Sequence, residues 1–221
     1  MIITAANSKG GVGKSTLAVH LAVWLHDQGE HVILVDTDMQ QSSSRWINVA
    51  APHIRAISFQ TPDEVLEEVP KLNEESSFVV ADGPAGMAEL TRALLMVTHV
   101  ALVPCGPSAL DLEASTQAVR VIRQARNIRK DGFPQAVFVV NKLQPHTRLS
   151  RELLESAATI GIPVAQMALH LRQVYADAPG QRPVVWKMGY RGGEAATELQ
   201  QLFLEVARDG KTTPISRRSN G

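Results

Sequence analysis

The sequence predicts an α/β fold, a doubly wound, mainly parallel sheet flanked by helices, and three observations carry that prediction. Continuously apolar runs of five or six residues end at a polar or turn residue. Helical stretches alternate with these runs, and a glycine-rich turn directly follows the first of them. With 221 residues, 44% of them hydrophobic, the chain suits one globular domain, read as residues 1–208 with a polar, disordered tail over 209–221.

The strand candidates in order are MIITAA (1–6), HVILVD (31–36), FVVAD (78–82), HVALVP (99–104) and AVFVVN (136–141). None alternates apolar with polar, so each is expected to be buried on both faces by crossover helices. The first helix is expected over Ser15–Gln28, with Leu17, His20 or Leu21, Trp24 and Leu25 on one face and Gly29 as its C-terminal cap. A second begins at Thr61-Pro62-Asp63-Glu64, where a capping threonine, a proline in the first helical position and a glutamate three residues after the cap coincide. Further helices are expected near 87–96, 108–130, 148–159 and 193–208.

Residues 1–6 lack a charged leader, and no apolar run approaches the roughly 18 residues of a membrane span, so the chain reads as soluble and cytoplasmic. A single cysteine, Cys105, excludes an internal disulfide and any multi-cysteine zinc or iron–sulfur site; it reads as a small buried hydrophobe after a strand. The net charge is zero but unevenly spread. Residues 1–110 hold 6 Lys/Arg against 12 Asp/Glu, and residues 111–221 hold 16 against 10. A basic second half fits a polyanionic partner or a merely solvated surface.

Gly10-Gly11-Val12-Gly13-Lys14-Ser15-Thr16 stands between the first strand and the first helix. Glycines there let backbone N–H groups turn inward around phosphate oxygens, and the helix N-terminus adds its positive dipole end. In such a loop Lys14 reaches the β- and γ-phosphates and Ser15 ligates Mg²⁺. The strict phosphate-loop pattern requires glycine at position 8, where this chain has serine, and an additional lysine stands at position 9. Lys9 is either an ordinary loop lysine or a second cation for the transferring phosphoryl group, supplied as an arginine finger is.

The stretch Lys9-Gly10-Gly11-Val12-Gly13-Lys14-Ser15-Thr16 resembles the deviant Walker A motif of the ParA/MinD ATPases. The resemblance implies ATP/ADP and Mg²⁺ as cofactors and a homodimer in the ATP state, with Lys9 crossing to phosphates bound by the other copy. It makes Lys9, Lys14 and Asp38 the catalytic set, and Gly10 to Thr16 the nucleotide cradle. Asp36-Thr37-Asp38-Met39-Gln40-Gln41 resembles the family's D-x-D-P-Q segment, in which the second aspartate positions the attacking water; Met39 replaces the usual proline. Asp36 is either a solvated strand-end carboxylate or a supporting group near the metal. Phe78 to Asp82 resembles Walker B, which places Asp82 with Ser15 and Asp36 in the metal set. Asn141 matches the asparagine that recognises adenine, with a turn asparagine as the alternative. Leu171 to Ala178 resembles the family's R-x-x-x-x-E-A signature, with Asp177 in place of glutamate.

Within that family the sequence favours small plasmid-partition ParA-type proteins. The first strand begins at residue 1, leaving no operator-binding helix-turn-helix before it, and the tail DGKTTPISRRSNG has no apolar face for a membrane helix. The implied partners are non-specific DNA and a small DNA-binding adaptor, without membrane attachment, and the implied location is the nucleoid. Arg172, Lys187 and Arg191 are the candidate DNA contacts, ahead of an Arg120, Arg123, Arg126 and Lys130 stripe that also reads as a solvated helix face. The alternatives are a MinD-like or secretion-associated positioning ATPase, a metabolic P-loop enzyme and a non-hydrolysing scaffold. An iron-protein-type reductase would need paired cluster cysteines.

Overall fold

Successive side chains of a strand point to opposite faces, so an unbroken apolar strand is buried only if helices cover both sides of its sheet. In the computed structural model, which describes residues 1–86, 88–181 and 183–211, that arrangement is met. Strands Ile2–Ala5 (β1), Val32–Asp36 (β2), Arg55–Ser58 (β3), Phe78–Asp82 (β4), Val100–Cys105 (β5) and Gln135–Val140 (β6) form one six-stranded parallel sheet in the order β3-β2-β4-β1-β5-β6. The helices are Lys14–Asp27 (α1), Ser42–Ala50 (α2), Pro62–Glu75 (α3), Ala88–Val97 (α4), Ala109–Arg129 (α5), Arg148–Ala157 (α6), Gln173–Gln181 (α7) and Gly193–Lys211 (α8), with short 3₁₀ turns at Val185–Lys187 and Gly189–Gly192. In β4, Phe78 and Val80 join the core formed with α1 and α8, whereas Val79 and Ala81 join the core under α3 and α4. A third cluster packs β5 and β6 against α5 and α6 and includes Cys105, whose thiol burial pushes up to about 11.

The expected helix starting at Thr61 has its full capping box: the Thr61 side chain accepts from the Glu64 N–H, and the Glu64 side chain accepts from Thr61. α1 departs from expectation. It is not amphipathic: Leu17 through Leu25 are buried on every side, because the helix lies between the sheet, α2 and α8. α2, β3 and α7 were not expected. α8 continues to Lys211, so residues 209–211 of the expected tail are helical, while 212–221 lie outside the described residues. Where β1 and β4 end side by side, a Cβ on Gly83 would stand 2.6 Å from the Ala5 carbonyl oxygen, so that position requires glycine. This close approach brings the carboxyl ends of β1, β4 and β2 together, where ligands bind in open α/β sheets.

Candidate functional site

The loop between β1 and α1 turns at Gly11 and Gly13, whose φ values of 75° and 102° lie in the left-handed region. A Cβ on Gly13 would also stand 2.4 Å from Asn141 Nδ2. Lys14, the first residue of α1, is buried, and its ammonium donates to the Lys9 carbonyl at 2.8 Å, folding the loop around itself. Burial lowers the Lys14 pKa, and the negative charges of Asp82 and Asp38 oppose that shift. The tip of β6 clamps the loop from the far side. Asn141 Nδ2 donates to the Val12 carbonyl at 2.7 Å, and Lys142 Nζ donates to the Gly11 carbonyl at 2.6 Å. Asn141 therefore places one of its two amide N–H groups on the loop backbone, and its carbonyl accepts from the Lys142 N–H at 2.8 Å.

Asp36 and Asp82 sit opposite each other in the β2–β4 register. Asp82 is fully buried, and neither carboxylate oxygen meets a hydrogen-bond donor. Burial raises its pKa to about 7 and the Asp36 charge adds to that rise; the hydroxyls of Ser15 and Ser43 offset part of it without completing a hydrogen bond. A buried carboxylate with no protein donor beside a serine hydroxyl offers oxygen ligands suited to a hard divalent cation, while the nearby Lys14 ammonium suits phosphate oxygens. Asp36 is already engaged: Oδ1 accepts from the Asp38 N–H at 3.0 Å and Oδ2 from the Ser44 N–H at 2.8 Å. It thereby holds the turn that carries Asp38 and caps the start of α2, and it is buried, not solvated. Asp38 is partly exposed at the mouth of the site, and its Oδ1 accepts from the Gln40 N–H at 2.9 Å. Met39, where the resembling motif has proline, is 74% exposed and forms no part of the turn's packing.

Lys9 folds back within its own chain. Its ammonium lies 2.6 Å from Asp111 Oδ1 and 3.5 Å from Ser108 Oγ, at the first turn of α5. Sequence reading passed over Asp111; Ser108-x-x-Asp111 at a helix start was the available signal. It also passed over Lys142, which directly follows the strand-end asparagine.

A cavity of about 440 Å³ extends from Gly10–Thr16 past Asp38 and Asn141 to a second wall of Leu169–Arg172 and Tyr175. That wall is brought in by a segment running alongside β6, in which the Leu169 carbonyl accepts from the Leu143 N–H and the Leu171 N–H donates to the Leu143 carbonyl. Glu198 of α8 fixes it: Glu198 Oε1 accepts from Arg172 Nη2 at 2.6 Å and is 2.8 Å from His170 Nδ1. Arg172 also pairs with Glu194. The residue expected to face DNA thus has its guanidinium bound by two carboxylates at the wall of the cavity. Lys187 is exposed, and Arg191 is exposed but paired to Asp177 at 3.1 Å. In the α5 stripe, Arg123 donates to the Ile160 and Gly161 carbonyls and Arg126 to that of Pro134, while Arg120 and Lys130 are exposed.

Comparison with known proteins agrees with this fold. The Halothiobacillus neapolitanus maintenance of carboxysome distribution protein A is 29% identical over 208 residues, covering 92% of this chain and 95% of that protein. The Caulobacter vibrioides chromosome partitioning protein ParA is 35% identical over 255 aligned positions, covering 94% of this chain and 95% of that protein. The septum site-determining protein MinD of Pyrococcus horikoshii, solved with Mg-ADP, shares the fold with a TM-score of 0.74 over 97% of this chain and 99% of that one, at 19% identity. Residues 3–183 match the CobQ/CobB/MinD/ParA nucleotide binding domain, and the chain belongs to that family.

Proposed function

We propose that the chain is a Mg²⁺-dependent ATPase that dimerises face to face on binding ATP, binds duplex DNA without sequence preference in that state, and positions a cargo with a small adaptor protein. The observation that carries this reading is the two-lysine loop set against the unpartnered Asp82 carboxylate. Lys14 holds the β- and γ-phosphates, Ser15 and Asp82 hold the cation, and Asp38 orients the attacking water. Bound Mg²⁺ supplies charge neutralisation on the phosphate oxygens. Lys9 leaves Asp111 and crosses to the phosphates of the facing copy, adding positive charge where the transferring phosphoryl group gathers negative charge.

DNA binding draws on Lys187 and Arg191, with Arg172 contributing by holding the wall behind them. Two basic surfaces joined in a dimer bind a polyanion with higher avidity than either alone, which gives ATP control over nucleoid association. A DNA cargo is the first reading. A second, in which the cargo is a protein assembly, draws support from the carboxysome-distribution relative. The test is sedimentation with Mg²⁺ and ATP, together with turnover measured with duplex DNA, lipid vesicles or a small metabolite added. ATP-dependent dimers and stimulation by DNA are expected. A monomer in every condition, or stimulation by the metabolite alone, overturns the reading.

A further inference from the structure

His20 lies in the middle of α1, fully buried, and both of its ring nitrogens are engaged by backbone. Nδ1 is 2.7 Å from the Thr16 carbonyl oxygen, and Nε2 is 3.1 Å from the Val185 nitrogen. A carbonyl only accepts and an amide N–H only donates, so Nδ1 carries the proton and Nε2 the lone pair. The rings of Trp46, Tyr175 and Trp186 surround it, with centroids at 5.1, 6.3 and 5.5 Å.

Its two partners belong to different parts of the molecule. Thr16 lines the nucleotide cavity at the end of the glycine loop. Val185 opens the paired 3₁₀ turns Val185–Lys187 and Gly189–Gly192, whose outer surface presents Lys187, Tyr190 and Arg191, with Tyr190 fully exposed. The turns are folded tightly on each other: a Cβ on Gly192 would stand 1.8 Å from the Val185 carbonyl oxygen. Trp186 ties them again to α1 through Nε1 and Asp27 Oδ2, at 3.2 Å.

We propose that His20 is a positioning residue that couples the nucleotide loop to the Val185–Gly192 turns, so that phosphate bound at the start of α1 shifts the exposed Lys187, Tyr190 and Arg191. Either ring bond, if broken, strands a buried polar group, so the two backbone segments move together more readily than apart. Coupling of this kind is reciprocal: whatever binds the turns changes nucleotide affinity by the same factor. That DNA is the partner on the turns rests on the function proposed above. The coupling itself does not.

The experiment is amide hydrogen exchange over residues 183–192 of the full chain, with Mg²⁺ alone, with ADP and with a non-hydrolysable ATP analogue. In the parent, nucleotide is expected to slow exchange in this segment about tenfold, the size of a modest allosteric coupling. His20→Leu, which keeps the volume and removes both hydrogen bonds, is expected to bind nucleotide and lose that response. His20→Gln, which retains a donor and an acceptor, restores part of it. Should the leucine variant fail to bind nucleotide, Val185→Pro removes the single N–H at a site suited to proline. Val185 is the first residue of its turn, and Val184 before it is extended, at φ −80° and ψ 158°. An unchanged parent segment, or a parent-sized response in His20→Leu or Val185→Pro, overturns the coupling. Retention of duplex DNA with and without ATP is measured alongside. Exchange coupling without DNA retention discards the DNA partner and keeps the His20 link; DNA retention without exchange coupling does the reverse.

Discussion

The Lys9 ammonium and the Asp111 carboxylate meet at 2.6 Å, tying the nucleotide loop to the first turn of α5 within one chain. The trans role proposed for Lys9 requires that this ion pair open, so Asp111 competes with the phosphates of the facing copy. Partly exposed pairs of this kind contribute up to about 1 kcal/mol each, which is up to about fivefold in an equilibrium. Two such pairs open per dimer, so Asp111→Asn is expected to lower the protein concentration needed for ATP-dependent dimerisation by up to about twenty-fivefold. Sedimentation across a concentration series checks this. Lys9→Ala should bind ATP and fail to turn it over.

Lys14→Ala is expected to lose nucleotide binding, since no other buried ammonium in the described loop faces the cavity. Asp38→Ala should bind ATP and accumulate as the dimer, with turnover reduced at least about a hundredfold if water orientation is its task. Equilibrium binding of a fluorescent ATP analogue and single-turnover hydrolysis separate the two phenotypes.

Asp82 holds a buried carboxylate without a donor, a costly arrangement that a bound cation relieves. Asp82→Asn is expected to raise the melting temperature of the nucleotide-free chain and to abolish the further stabilisation that Mg²⁺ with nucleotide gives the parent. Thermal melts with Mg²⁺ and with EDTA measure both effects. An Asp82→Asn chain that still gains the full Mg²⁺ increment would place the cation elsewhere.

Burial depresses the His20 pKa to about 4 from an unfolded value of 6.5, against the helping effect of the Thr16 carbonyl. A depressed folded-state pKa means that the unfolded chain takes up the proton first. The stability held by neutral His20 is complete above pH 6.5, falls as the pH drops from 6.5 to about 4, and is gone below that. The loss amounts to about 3 kcal/mol. Urea unfolding at pH 7.0 and 4.5 should show a steeper fall for the parent than for His20→Gln.

Arg172→Ala leaves Glu198 buried with His170 as its remaining side-chain partner, so it is expected to destabilise the fold by about 1–3 kcal/mol and weaken nucleotide binding. Lys187→Ala should leave stability unchanged and flatten the salt dependence of DNA retention by about one phosphate contact. A salt series on the ATP-loaded Asp38→Ala chain distinguishes the two.

Asp36, Asp82 and Asn141 were legible because each ends an apolar run, and the strand period then fixes which end of the sheet they share. Lys14 and Ser15 were legible from the glycines before them. α2 was hidden because its first turn starts from Gln41 at φ 51° and is capped by Asp36, outside the local sequence. β3, with arginine and serine at its ends, is a short edge strand without a buried strand's pattern. Arg172 shows the limit of counting charge. Its sign is plain in the sequence, but the glutamates that neutralise it lie on a helix more than twenty residues away.

The strand order also sets a timetable for synthesis. β1 is made well before its register partners, which are Val79 to Asp82 on one side and Val100 to Leu102 on the other. At the roughly 5–20 residues per second of translation, the apolar Ile2–Ala5 segment emerges several seconds before either neighbour exists. One of the two central strands of the finished sheet is an orphan on the ribosome. The elements made in that interval, α1 to α3 with β2 and β3, are the ones present to cover the segment that later carries the nucleotide loop.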